Sequence, residues 1–264
     1  MNIMPWLPIF AKALATALTV MSASVAAEAL GPFWGALIVC LPVAAGPAYV
    51  FLALEHGPDF IAASALSSAA ATALTGLFLI VFSALASRFS VWRSLSVAAA
   101  TWLAASLLLQ QVAWTVGSAL ALNALVYGSG LLLMRRPSLS PTSATRPHRR
   151  RWFELPLRGA AVAAFVSLIV TTSNALGPAV TGIAAVFPVS MISLFIILGP
   201  RVGGPATAHV AMNALPPMMG FAVMLVVMHL AILPLGIPVA YCLALAVSLL
   251  WSGALLLLQL SKRR

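Results

Sequence analysis

Ala29-Leu30-Gly31-Pro32, followed by Pro42-Val43, returns later in the chain as Ala175-Leu176-Gly177-Pro178, followed by Pro188-Val189. Gly177 lies 146 residues beyond Gly31, and Pro188 the same 146 beyond Pro42. Extended without a gap, this offset pairs Lys12 with Arg158, Val20 with Val166, Glu28 with Asn174, Leu52 with Leu198 and Ala62 with Ala208. Small and apolar residues coincide easily in a hydrophobic chain, so most of these pairs carry little weight. A four-residue identity containing Gly-Pro, with a second proline in register, carries much more. Internal duplication is therefore the first question to settle before helices are assigned.

The composition places both copies in a bilayer. Hydrophobic residues are 62% of the chain and charged residues 7%, against the ~25% charged typical of a soluble domain. No water-soluble fold of 264 residues could hide so much apolar surface. The apolar residues come in long unbroken runs, which points to an all-α polytopic membrane protein and excludes an alternating-pattern barrel. The net charge of +10 does not signal nucleic acid, because the Lys and Arg residues cluster beside apolar runs as they do in cytoplasmic loops. Cys40 and Cys242 both fall inside apolar runs and read as packing residues.

A spanning helix needs ~20 mainly apolar residues. The runs 5–27, 30–54, 59–86, 94–112 and 114–134 make five, with Gln110-Gln111 breaking an apolar stretch too long for one crossing. Residues 5–27 resemble a signal peptide in their Ala-rich core and small-residue end. They lack a basic start, and their counterpart at 158–173 cannot be cleaved, so they read as the first span. Arg135, Arg136, Arg146, Arg149, Arg150 and Arg151 mark a loop over 135–154. Four more helices follow, at 155–174, 176–198, 205–231 and 237–260. This divides the chain into a first membrane repeat (1–134), a basic cytoplasmic loop (135–154) and a second membrane repeat (155–264).

Five crossings before the loop turn the second copy upside down, an inverted-topology repeat of 5+4 helices. With the N-terminus outside, Arg88, Arg93, the arginine cluster, Arg201 and the Lys262-Arg263-Arg264 tail are all cytoplasmic. Glu55, Asp59, Gln110, Gln111 and Asn174 are then outside. A rival reading has eight helices in parallel repeats, with 94–134 as one span plus a re-entrant piece; it leaves Arg88 and Arg93 outside.

The candidate pathway residues follow from the duplicated motif. Gly31, Pro32 and Pro42 in one copy, and Gly177, Pro178 and Pro188 in the other, interrupt matching helices. A proline removes an N–H and frees the carbonyl four residues back, so Pro42 would expose that of Ile38 and Pro188 that of Ala184. Broken backbone at membrane depth is tolerated where it is buried or lines a wet cavity. Paired broken helices in inverted repeats are the best sequence pointer to a transporter's central site. Glu28, whose partner is Asn174, abuts Gly31-Pro32 and is a candidate proton-carrying group. His209 and Asn213 are four apart and share a helix face. The plainer alternatives are a packing kink, a helix-end carboxylate at the interface, and snorkelling for Lys12 and Arg158. No catalytic, cofactor or metal-site motif stands out, so an enzyme is not expected.

Each copy resembles the GlpM-like family of small bacterial inner-membrane proteins. The likeness rests on Lys12 or Arg158 opening the first helix, on Asn174 before the second, and on Gly182-Ile183-Ala184-Ala185-Val186-Phe187-Pro188 within it. The first copy departs from it, with Glu28 for Asn, Leu41 for Phe and an added helix. The resemblance implies an architecture and no settled activity. Two functions are therefore carried forward. One is a secondary transporter of a small solute that works by alternating access. The other is a non-transporting accessory protein of envelope synthesis or secretion, whose 135–154 loop engages anionic lipid or a partner. Either is compatible with a homo-oligomer.

Overall fold

The computed structural model describes residues 13–19, 21–22, 45–134 and 154–261. Besides the helical residues 13–19 and 21–22, these form nine helices and no strand. They are α1 (Ala45–Glu55), α2 (Pro58–Ala86), α3 (Val91–Leu109), α4 (Val116–Met134), α5 (Glu154–Ala185), α6 (Val189–Val202), α7 (Gly204–Asn213), α8 (Leu215–Leu235) and α9 (Ile237–Ser261). Six stretches of the described residues are long and apolar enough to cross a bilayer. By helix length and hydropathy this is a multi-pass membrane protein.

The bundle is built around α2. Its start is dictated locally: Pro58 sits in the first turn, where a missing N–H costs nothing, and Asp59 complements the helix dipole. Its middle is a run of Ala, Ser and Thr, and small residues let neighbouring backbones approach closely. Every residue from Ala69 to Ala73 is buried as a result. Gly182 of α5 abuts the backbone of Ser64, and Gly204 at the start of α7 abuts the backbone of Ala86.

Side-chain contacts fix the direction of each neighbour. Asn123 and Tyr127 of α4 donate to the carbonyls of Ala69 and Thr72, each at 2.8 Å, so α4 runs parallel to α2. His229 of α8 bonds to the carbonyl of Ala62 at 2.8 Å, while Gly204 meets Ala86. The α7–α8 rod is therefore antiparallel to α2. α7 begins 146 residues after α2, and α9 begins 146 residues after α3.

The expected break at Gln110-Gln111 is present. α3 stops at Leu109 and α4 starts at Val116. Trp114 Nε1 donates to the Leu109 carbonyl (2.9 Å), and Thr115 and Ser118 exchange side-chain-to-amide bonds of 2.9 and 3.2 Å. This is the reciprocal capping that starts a helix cleanly.

Other boundaries differ from expectation. The helix read at 205–231 is two, broken at Ala214, which puts Pro216-Pro217 in the first turn of the second, where a missing N–H costs little. The helix read at 176–198 runs on to Val202 and is interrupted at 186–188. Cys242, read as a packing residue, is exposed on α9. Most of the first helix and of the second, with Lys12, Cys40, the 135–153 stretch and the 262–264 tail, lie outside the described residues.

Charge is segregated along the bundle axis. Glu55, Asp59, Gln110 and Gln111 are exposed at the end where α2 begins. Arg88 and Arg93 are exposed where α2 ends, and Gly199, two residues before Arg201, packs on Val91 at that same end.

Candidate functional site

The expected discontinuity in the second half is present and has a definite shape. Gly177 interrupts α5 with φ 72° and ψ 173°, a region open essentially to glycine alone. Before it, Ser173 meets His56 (2.7 Å), close to the start of α2. After it, the Pro178 carbonyl meets Ser64, again near that start. Phe165 lies 5.5 Å from Phe187 between ring centroids. α5 is therefore a helical hairpin closed at Gly177, whose second arm returns alongside α2.

That returning arm is broken again at Phe187-Pro188. Pro188 adopts φ −78° and ψ 46°, and the Val189 N–H donates to the Phe187 carbonyl at 2.8 Å, which together form an inverse γ-turn. The Val186 N–H slips to the Ile183 carbonyl (3.4 Å) and the Phe187 N–H to the Ala184 carbonyl (2.9 Å). The expectation that Pro188 exposes the Ala184 carbonyl is thus corrected: local tightening to i→i+3 bonds satisfies it.

The backbone released instead belongs to Gly182 and Val186, and α2 supplies the donors. Ser64 donates to the Pro178 carbonyl (3.0 Å), Ser68 to that of Gly182 (2.5 Å) and Thr75 to that of Val186 (2.9 Å). The Tyr49 hydroxyl of α1 meets Ser68 Oγ at 2.6 Å. Acceptors at i, i+4 and i+8 on the returning arm thus face a hydroxyl stripe on α2. Around the break, Phe187 stacks edge-on against Trp102 of α3, with centroids 4.9 Å apart. Two buried polar atoms near it, Trp102 Nε1 and Thr181 Oγ1, have no hydrogen-bond partner among the described residues.

The sequence-derived candidates divide into four groups. Gly177, Pro178 and Pro188 come together in this hairpin. Asn174 is exposed, just before the Gly177 turn. His209 and Asn213 bond to each other at 2.9 Å, with His209 half-buried and Asn213 exposed. Glu28, Gly31, Pro32 and Pro42 lie outside the described residues. The hydroxyl stripe on α2 went unread in the sequence. Its signal is Ser64, Ser68 and Thr75 on one helical face, within a run otherwise almost wholly of small residues.

No family model, curated protein or solved structure matches this chain. What the site can do therefore rests on its chemistry. Every buried polar residue described is Ser, Thr or Asn, with buried Tyr49 and Tyr127 adding hydroxyls, and none is charged. Among the described residues no three His, Cys, Asp or Glu side chains gather where a metal could be held.

Proposed function

We propose that the chain is a secondary transporter of a small, neutral or partly apolar solute, working by alternating access between two inverted halves. The observation that carries this reading is the central helix pair. α2 and the α7–α8 rod begin 146 residues apart, the offset of the duplicated Gly-Pro motif, and they lie against each other antiparallel. That is the relation expected of counterparts in an inverted repeat, whose substrate sites lie at the repeat interface beside discontinuous helices. On this reading nine crossings, five and then four, put the N-terminus outside and the C-terminus in the cytoplasm, and each copy is a GlpM-like unit.

The broken arm suits a moving part. Side-chain hydrogen bonds between helices in a bilayer average ~0.6 kcal/mol each, with a maximum near 1.7. Three of them hold the arm to α2, so releasing it costs a few kcal/mol. An open state at that cost is a minor but accessible population. Hydroxyls and carbonyls released together would offer a neutral solute both donors and acceptors, and the buried residues described offer no charge to bind an ion tightly.

Reporter fusions at positions 30, 145 and 176 test the architecture. Positions 30 and 145 should report the cytoplasm and 176 the outside; the same compartment for 30 and 176 refutes the inverted pair. Uptake of a panel of labelled neutral solutes into proteoliposomes tests the activity. Flux that exceeds empty vesicles and falls at least severalfold in Pro188→Ala, with folded protein retained, supports transport. No flux across the panel favours the accessory role.

A further inference from the structure

The corner where α2 gives way to α3 carries a cleft that the transport reading does not use. It encloses about 520 Å3, and its walls include Leu85, Phe89, Trp92, Arg93 and Val97. Phe89, Trp92 and Val97 are each about half exposed, an apolar wall open to the surroundings. Ser94 and Ser96 also line it, but their hydroxyls donate to the carbonyls of Ser90 and Trp92, each at 3.0 Å. Arg93 is therefore the cationic group of the wall. Exposed Arg88 directly precedes Phe89. α3 also begins here, capped by Ser90 Oγ, which accepts from the Arg93 N–H (3.4 Å), so the positive end of its dipole faces the same corner.

We propose that this cleft is a binding site for one anionic phospholipid. Arg93 and Arg88 take the phosphate, Trp92 stands at headgroup depth, and the first part of an acyl chain follows Leu85, Phe89 and Val97. The shape fits an amphipathic guest, with a guanidinium at one edge of an otherwise apolar trough. Charge complementarity selects the anionic lipid over a zwitterionic one. Arg88, Arg93 and Arg201 share this end of the bundle, and exposed Glu55 and Asp59 stand at the other. Interfacial Trp and basic residues are placed this way where a membrane protein meets headgroups.

The probe is phosphatidylglycerol with brominated acyl chains, compared with brominated phosphatidylcholine, added to the full chain in a neutral detergent. Bromine quenches nearby tryptophan, and subtracting the Trp92→Phe variant isolates the signal of Trp92 from that of the other tryptophans. The expected result is half-quenching at a roughly thirtyfold lower mole fraction of the anionic lipid, the order expected of two arginines near an anionic surface. The preference should vanish in Arg88→Gln/Arg93→Gln and persist in Arg88→Lys/Arg93→Lys. Val97→Phe, which narrows the trough, keeps the charge and adds no indole, should weaken quenching at position 92 by both lipids. Equal quenching by the two lipids in the unmodified chain overturns the proposal. So does a preference that survives the glutamine pair, or one lost equally in the lysine pair. Displacement by millimolar inorganic phosphate at constant ionic strength would show a free-anion site, and overturns it too.

Discussion

Ser68 shows how much a single hydroxyl can hold in this bundle. It is fully buried, donates to the Gly182 carbonyl and meets the Tyr49 hydroxyl. Ser68→Ala would strand a phenol and a carbonyl that the broken arm cannot satisfy itself. A stranded buried group costs ~1–3 kcal/mol, whereas removing both members of a pair is far cheaper. Ser68→Ala should therefore lower unfolding stability in detergent by about 1–2 kcal/mol. Tyr49→Phe/Ser68→Ala should cost less than the sum of its single variants. A double-mutant cycle of denaturant midpoints reads this directly, and strict additivity would mean that the Tyr49–Ser68 contact carries no energy.

At the scale of whole helices, the decisive device is glycine against backbone. Gly182 has no room for a side chain, because a Cβ there meets the main chain of Ser64. Gly253, inside α9, meets nothing within 4 Å. Gly182→Val should push the returning arm off α2 and destabilise by about 1–3 kcal/mol, the usual cost of overpacking. Gly253→Ala should be neutral, or stabilising by up to ~1 kcal/mol through helix propensity. Thermal unfolding of the two variants side by side separates a packing role from a generic preference for glycine.

The same contrast explains what the sequence disclosed about these helices. The breaks set by the glutamine pair, the Gly-Pro motif and Pro188 were legible, since they act on the backbone locally, whereas the one ahead of Pro216-Pro217 was not read. The stops near Leu109 and Ala185 and the turn at Gly177 all follow from residues readable one at a time. The partner that clasps the broken arm was not legible. Ser and Ala are similar in size and both unremarkable in a spanning helix, so the α2 stripe gains meaning only when the carbonyls of Gly182 and Val186 are placed opposite it. The Ala184 carbonyl was misassigned for a related reason. Proline frees the acceptor four residues back in a regular helix, and this helix had already tightened before reaching it. The His209–Asn213 pair shares a face as its spacing requires.

For the molecule as a whole, the separation of charge along the axis makes the strongest demand. α2 has Asp59 in its first turn and Arg88 just past its last, with its long middle buried among its neighbours. α3 returns from that basic end to Gln110-Gln111, so one hairpin carries both poles. If basic residues stay on the cytoplasmic side, Asp59 and Gln111 must face out and Ser87 must face in. In a variant with Cys40 and Cys242 replaced by serine, single cysteines at these three exposed positions read the arrangement. A membrane-impermeant maleimide added to intact cells should label Asp59→Cys and Gln111→Cys, and should reach Ser87→Cys only after permeabilisation. The reverse pattern would keep the crossing and overturn the orientation. Labelling of Asp59→Cys and Ser87→Cys from one side would mean that α2 does not cross at all, and the antiparallel pair at the centre of the bundle would then have no membrane to be inverted in.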